Sequence, residues 1–205
     1  RDGAGAETLS AAARPLGRMR SRSPDDADRA DVTDTEAMRI SVVHGDITTQ
    51  AVDAIVNAAS RAMRGGGGVD GAIHRAGGPE VLEQCRARFP DGLATGEAGW
   101  TTAGDLPARW VIHVVGPNYN HGERDRALLT SCYLSALQVA DELAATTVAF
   151  PLVSAGAYGW PLDDAINTAI EVLETADTDV QESRLIAFTE HTFATIQTRL
   201  DGDDT

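Results

Sequence analysis

The sequence predicts an α/β domain in which short buried strands alternate with helices. Residues 148–153 form an almost entirely apolar run, which is typical of a strand covered on both faces of a parallel sheet. Residues 123–145 carry apolar side chains at helical spacing. Two loops of small residues, 65–68 and 154–159, each follow a predicted strand and precede a predicted helix. The length of 205 residues suits one such domain and is short for two.

The predicted elements follow one another from residue 40 to residue 200. Strands are predicted at residues 40–43, 52–56, 98–103, 110–115, 148–153 and 184–188. Helices are predicted at residues 69–77, 79–89, 123 to about 145, 162 to about 175, and about 192–200. Ligands of open α/β sheets bind beyond the carboxyl ends of the strands, so we expect both small-residue loops at one edge of the sheet.

The two ends of the chain are predicted to lie outside the folded domain. Residues 1–37 are rich in Ala, Arg, Asp, Ser and Gly, a composition that cannot bury a core. We interpret them as a disordered or non-native N-terminal extension, with Met38 as a candidate start and a regulatory tail as the alternative. Residues 201–205 form an acidic tail. The domain is therefore predicted to span residues 38–200.

Composition excludes several classes of function. The formal charge of −14 and pI near 4.6 argue against a protein that grips nucleic acid, because that role leaves a basic surface. All 17 basic residues are arginine, so a P-loop lysine and a Schiff-base lysine are both excluded. Cys85 and Cys132 lie far apart and the histidines are scattered, so neither a zinc site nor a cofactor is expected. We expect a monomeric cytoplasmic protein without a membrane span.

The glycine loop (residues 65–68) has the composition of an anion site. Glycine carries no Cβ and adopts positive φ readily, so backbone N–H groups there can approach a ligand closely. A helix that begins near Val69 and Asp70 adds unpaired amides and the positive end of its dipole. The serine loop (residues 154–159) repeats this pattern. Together the two loops are expected to flank one elongated diphosphate.

Two other motifs, the dinucleotide-binding fingerprint and the nucleophile elbow, fit the two loops poorly. A dinucleotide fingerprint can be written at residues 66–71, but its strand should end immediately before the first glycine, and here roughly ten residues intervene. Ser154 lacks the glycine that a nucleophile elbow carries two positions earlier, where this chain has Leu152. His74 and His113 fall on a predicted helix and strand, where a hydrogen-bonded structural role is expected.

Five short motifs occur along the chain in a fixed order: GDIT at 45–48, VDAIVNAA at 52–59, GGGGVDGAIHR at 65–75, LPA at 106–108 with VIHVVGP at 111–117, and SAGAYG at 154–159. Through them residues 39–200 resemble the macrodomains, in particular the MacroD-type O-acetyl-ADP-ribose deacetylases and mono-ADP-ribosyl hydrolases. The resemblance implies a three-layer α/β/α sandwich with a mixed central sheet. It also implies that ADP-ribose binds in a cleft at the strand ends.

The resemblance also implies a role for each matching residue. Asp46 would accept a hydrogen bond from the adenine amino group, and Tyr158 would lie against the distal ribose. Asp70 would be the catalytic acid or base that orients the attacking water, which a carboxylate can do without a metal. The catalytic set implied is Asp70, Asn57 and Ser60, and the ligand-binding set is Asp46, Ile47, Gly66, Gly67, Gly68, Val69, Ser154, Ala155, Gly156, Ala157 and Tyr158.

One departure from the family pattern leaves two functions open. Hydrolytic members usually have Asn-Ala-Ala-Asn where this chain has Asn57-Ala-Ala-Ser60. Serine is shorter than asparagine and offers one donor where the amide offers two. The first hypothesis is a hydrolase acting on O-acetyl-ADP-ribose or on ADP-ribose esterified to an acidic side chain of a protein. The second is a binding module that recognises ADP-ribose without hydrolysing it.

Overall fold

The structure is a computed structural model that describes residues 37–202. Within this part the chain forms six strands: β1 (Arg39–His44), β2 (Val52–Ala59), β3 (Ala98–Thr102), β4 (Ala108–Val115), β5 (Thr147–Pro151) and β6 (Glu182–Ala187). It also forms five α-helices: α1 (Gly68–Gly77), α2 (Pro79–Arg88), α3 (Arg126–Glu142), α4 (Leu162–Thr175) and α5 (Glu190–Leu200). Each predicted strand and helix is present. The predictions for residues 1–36 and 203–205 fall outside the described residues.

The six strands form one mixed sheet in the order β1-β6-β5-β2-β4-β3. Strands β1, β6, β5, β2 and β4 each run parallel to their neighbours in this group. Strand β3, at the end of the sheet, pairs with β4 in the antiparallel direction. The predicted mixed sheet is confirmed. Because parallel strands all end at the same edge, the carboxyl ends of β1, β6, β5, β2 and β4 lie side by side in that order.

Helices cover both faces of the sheet, as the predicted three-layer sandwich requires. Side chains of β2 alternate between the layers because successive strand residues point to opposite faces. Ala54 and Val56 pack in the larger apolar cluster with residues of α3, α4 and α5, such as Tyr133. Ile55 packs in a second cluster with Ile73 of α1. The sheet is therefore buried on both sides, which explains why its central strands read as continuous apolar runs.

Three predicted boundaries shift for local reasons. Helix α3 begins at Arg126 because the Asp125 carboxylate caps it, accepting a hydrogen bond from the Ala127 N–H at 3.0 Å. Strand β5 ends at Pro151, since the backbone turns and Ser154 adopts a left-handed φ of 64°. Strand β6 spans Glu182–Ala187, so Phe188 lies beyond it. In addition, Ile47–Thr49 and Tyr119–His121 form short 3-10 turns that the pattern did not predict.

A buried histidine joins β4 to its two neighbouring strands. His113 is completely buried, and its Nε2 lies 3.0 Å from the Thr101 hydroxyl while its Nδ1 lies 3.1 Å from the amide nitrogen of Asn57. The Asn57 amide nitrogen can only donate, so Nδ1 accepts and the Nε2–H group donates to Thr101. The pKa of His113 is lowered to about 3, mainly by burial and to a smaller extent by the neighbouring His74. The ring is therefore neutral at physiological pH.

The neutral state of His113 predicts how stability depends on pH. His113 takes up a proton near pH 6.5 in the unfolded chain and only near pH 3 in the folded chain. The stability that comes from the neutral ring is therefore fully present above about pH 6.5 and is lost progressively as the pH falls. Between pH 6.5 and 4.5 the loss from this group is about 2 kcal/mol in the free energy of unfolding. Urea unfolding of wild type and His113→Gln at several pH values measures the difference.

The exposed His191 on α5 supplies the matched control. His191→Gln should keep the wild-type pH dependence, whereas His113→Gln should show a shallower one. Equal slopes for wild type and His113→Gln would contradict the assignment of a neutral buried ring.

Candidate functional site

A cavity of about 840 Å³ opens at the edge where the parallel strands end. Its volume lies in the range of pockets that hold a nucleotide-sized ligand. It contains every predicted site residue except Asn57. The lining consists of Gly45, Asp46, Ile47, Ala58, Ser60, Gly66, Gly67, Gly68, Val69, Asp70, Ala72, Arg75, Gly116, Pro151, Leu152, Ser154, Ala155, Gly156, Ala157, Tyr158, Leu162, Ile186, Phe188 and Thr192.

The strand order spreads these residues along an elongated site. Asp46 follows β1 and Phe188 follows β6, so one end of the cavity is built at these two strands. The serine loop follows β5 in the middle. Ser60 follows β2 and Gly116 follows β4, which places them at the other end. Five strands at a spacing of about 4.8 Å span roughly 19 Å, so the site suits a long ligand.

The glycine loop presents the start of α1 to the cavity. Gly67 is the N-cap and has no side chain, so no side-chain oxygen covers the first amides of the helix. The Gly71 N–H is the first to bond within the helix, to the Gly67 carbonyl at 3.2 Å. The preceding N–H groups remain free of hydrogen bonds among the described residues, and they carry the positive end of the helix dipole. Such an end binds anionic oxygens.

The serine loop is a strained turn with free amides. Ser154 adopts φ 64° although it is not glycine, and the Trp160 N–H closes the loop onto the Ser154 carbonyl at 3.0 Å. The N–H groups of Gly156, Ala157 and Tyr158 donate to no carbonyl or side chain among the described residues. Successive free amides in a turn form an anion-binding concavity. The loop thus faces the glycine loop across the cavity with the same chemistry.

Close packing around Ser154 makes Gly116 necessary. A Cβ on Gly116 would lie 2.3 Å from the Ser154 hydroxyl oxygen, which is far too close. Ser154 is nearly buried, and its hydroxyl has no hydrogen-bond partner within the described part of the chain. An unpaired buried hydroxyl is costly, so it marks a place where a ligand oxygen could complete the site.

Asp70 supplies a buried carboxylate at the same place. Its side chain accepts a hydrogen bond through Oδ1 from the Asn57 amide nitrogen at 2.7 Å, and Nε2 of His74 lies 3.3 Å from that oxygen. Oδ2 has no partner among residues 37–202 and lies close to Gly66, where an added Cβ would be 2.9 Å away. One oxygen is therefore held by the protein and the other is available to the cavity.

Asn57 lies behind the cavity and does not line it. The family resemblance implied that Asn57 belongs to the catalytic set, but its side chain is completely buried between Asp70 and His113. Its carbonyl oxygen Oδ1 has no partner within the described residues. The reason is the period of the strand, since Ala58 points to the cavity and the neighbouring Asn57 points into the layer beneath.

The prediction that the histidines are scattered is wrong for His74 and His113. Donor atoms of His74, Cys85 and His113 lie within 4.8 Å of one another. Both nitrogens of His113 already take part in hydrogen bonds, and burial raises the pKa of the Cys85 thiol to about 11. The thiolate is the form that binds metal, so the group is better described as a hydrogen-bonded part of the core than as a metal centre.

Sequence reasoning missed Phe188 and His74 as site residues. Phe188 is 80% exposed at the mouth of the cavity, which is unusual for a large apolar side chain. An aromatic residue placed immediately after a parallel strand was the available signal. His74 reaches Asp70 because they are four residues apart on one helix, a spacing that brings side chains together.

No helix among residues 37–202 has both the length and the apolar character needed to cross a membrane.

Comparison with known proteins agrees with this geometry. The Macro domain family model matches residues 56–169. A macro domain-containing protein of Streptomyces nogalater is 52% identical over 168 residues, which are 80% of this chain and 92% of the relative. A macro domain-containing protein of Streptomyces coelicolor is 52% identical over 165 residues, which are 78% of this chain and 98% of the relative.

Solved structures show the same fold. The Oceanobacillus iheyensis macrodomain with ADP has a TM-score of 0.76 and 35% identity, covering 82% of this chain and 93% of its own. The Trypanosoma brucei macrodomain in complex with ADP-ribose has a TM-score of 0.73 and 38% identity, and the match covers 83% of this chain and 72% of that one. The fold, the motifs and these likenesses agree, and the chain belongs to the Macro domain family.

Proposed function

We propose that this protein binds ADP-ribose and hydrolyses ADP-ribosyl esters, either O-acetyl-ADP-ribose or ADP-ribose esterified to an acidic side chain of a protein. The observation that carries the proposal is the Asp70 carboxylate, which lies in the cavity beside the glycine loop with one oxygen held by Asn57 and one free. A related macrodomain has been solved with ADP-ribose, which supports this ligand.

The adenine would bind at the end of the cavity built by β1 and β6. Phe188 and Ile47 offer apolar surface for the flat purine ring. Asp46 caps the 3-10 turn through Oδ1, which accepts from the Thr48 N–H at 2.9 Å and from the Thr48 hydroxyl at 2.8 Å. Its second carboxylate oxygen remains to accept a hydrogen bond from the adenine amino group.

The diphosphate would lie between the glycine loop and the serine loop. Both loops present backbone N–H groups, and the start of α1 adds a favourable dipole. Amides fixed in the fold bind phosphate oxygens without a flexible lysine, which this chain lacks. The distal ribose then falls at the end lined by Asp70, Ser60 and Tyr158.

The proposed reaction is addition of water to the ester. Oδ2 of Asp70 orients a water molecule and takes its proton as the water oxygen bonds to the acyl carbon. The bond between the acyl carbon and the ribose oxygen breaks, and the ribose oxygen takes the proton that Asp70 had received, which restores the Asp70 carboxylate. The products are ADP-ribose and a carboxylic acid. Asn57 acts by holding Asp70, and the neutral His113 in turn holds Asn57.

A non-catalytic reader is the second candidate function. Ser60, which lines the cavity near Asp70, is shorter than the asparagine usual at this position in hydrolytic members. A poorly oriented ribose would bind but react slowly, because hydrolysis depends on geometry more strongly than binding does. The two candidates differ in turnover and share the ligand.

We expect Asp70→Ala to lower single-turnover hydrolysis by about 10²–10⁴-fold, which is the usual contribution of a general acid or base. The affinity for ADP-ribose, measured by calorimetry, should stay within roughly tenfold. Asp91→Ala, which removes an exposed carboxylate outside the cavity, serves as the control. Undiminished hydrolysis by Asp70→Ala would refute the catalytic role.

Ser60→Asn tests the departure from the family pattern. If Ser60 limits the orientation of the ribose, Ser60→Asn should raise the hydrolysis rate in the wild-type background and have little effect when Asp70 is already Ala. The effects should not add, because the two residues act on one geometry. If wild type, Asp70→Ala, Ser60→Asn and the double variant all fail to hydrolyse an ADP-ribosyl ester, the reader function is correct.

Gly156→Glu tests the placement of the diphosphate. A Cβ at Gly156 meets nothing within 4 Å, so the variant should fold. Two charges about 4 Å apart repel by about 4 kcal/mol at an effective dielectric constant of 20, which predicts a loss of affinity of at least about 100-fold. Gly156→Ala should bind ADP-ribose nearly as well as wild type. A folded Gly156→Glu protein with unchanged affinity would exclude this placement.

A further inference from the structure

We propose that a second cavity, which adjoins the ribose end of the first, receives the polypeptide that carries the ADP-ribosyl group. This inference rests on the proposed function and extends it by assigning a site for the acyl group of the ester. The second cavity has a volume of about 480 Å³. It is lined by Ser60, Arg61, Ala62, Gly116, Asn118, His121, Glu123 and Tyr158.

The two cavities meet at shared residues. Ser60, Gly116 and Tyr158 line both of them. In the proposed placement the distal ribose lies beside Ser60 and Tyr158, so these residues separate the ribose from the second cavity. A group esterified to that ribose must leave the first cavity at this end. The second cavity begins at that end.

The size of the second cavity favours a polypeptide over an acetyl group. An acetyl group has only three non-hydrogen atoms, whereas the second cavity has a volume of about 480 Å³. An acetyl ester would leave most of this space to water.

The lining includes polar side chains and charges of both signs. Arg61 forms an ion pair with Glu123, and the Arg61 Nε–H group donates to the Thr95 hydroxyl at 3.0 Å. The Asn118 N–H donates to Glu123 at 2.8 Å, and this bond is the main reason that the pKa of the Glu123 carboxyl lies below its usual range. His121 lies at the same place.

This chemistry distinguishes among the groups that an ADP-ribosyl ester can carry. A long hydrocarbon chain would have to displace water from a guanidinium and a carboxylate, which is costly. Peptide amides and polar side chains can instead exchange their hydrogen bonds to water for bonds to Arg61, Asn118 and Glu123. A polypeptide is therefore the acyl group that fits.

The test compares two esters in variants that fill the second cavity. Ala62 and His121 are exposed, line only the second cavity, and have no role in binding ADP-ribose or in the proposed chemistry. Ala62→Trp and His121→Trp should each lower kcat/KM for a peptide ADP-ribosylated on glutamate by about tenfold or more. The value for O-acetyl-ADP-ribose should stay within about twofold of wild type.

Leu134→Trp is the matched control, because Leu134 is 46% exposed on α3 and lies outside both cavities. It should leave both kcat/KM values unchanged. Unchanged hydrolysis of the peptide by Ala62→Trp and His121→Trp would overturn the proposal. An equal loss for both esters would also overturn it, since the second cavity would then belong to the ribose site.

A binding measurement keeps this proposal separate from the proposed hydrolase activity. In an Asp70→Ala background, the ADP-ribosylated peptide should bind about tenfold more tightly than free ADP-ribose, and Ala62→Trp should remove this advantage. If wild type hydrolyses neither ester, the hydrolase proposal fails while the binding measurement still decides on the second cavity. Equal affinities for peptide and free ADP-ribose would overturn the polypeptide site.

Discussion

The site depends on one constraint, the parallel direction of five neighbouring strands. In a parallel sheet every strand ends at the same edge, so the loops after β1, β6, β5, β2 and β4 meet there in spatial order. That order is not the order of the chain, and it brings residues 46 and 188 together at one end of a cleft roughly 19 Å long. Strand pairing thus makes the site elongated, independently of the side chains that line it.

Buried polar groups hold the chemistry in place beneath this edge. Thr101, His113, Asn57 and Asp70 form a chain of hydrogen bonds that links β3, β4, β2 and α1. Because His113 is neutral and its Nδ1 accepts, the direction of each bond is determined, and the Asn57 amide nitrogen must point at Asp70. Each of these buried hydrogen bonds orients the next side chain in the series. This gives the free oxygen of Asp70 a defined direction.

The proposed diphosphate site lies in a protein whose net charge is strongly negative. Charges on the surface are screened over about 8 Å at physiological salt, whereas the backbone amides of the two loops would donate directly to the phosphates in the proposed placement. The serine loop is built at the cost of local backbone strain, because Ser154 adopts a left-handed φ although it is not glycine. It also requires glycine at position 116, where there is no room for a Cβ. Binding through fixed backbone groups would also explain how a chain without lysine holds phosphate.

The sequence by itself determined the α/β class, the alternation of elements and the position of the two loops of small residues, because apolar periodicity and glycine content are local properties. The family motifs also indicated the mixed sheet. Only the tertiary structure decided that Asn57 lies behind the cavity, that His74 and His113 meet near Asp70, and that Phe188 stands exposed at the mouth. These facts depend on strand order and on which face each residue takes, and contacts between residues far apart in the chain leave no local pattern.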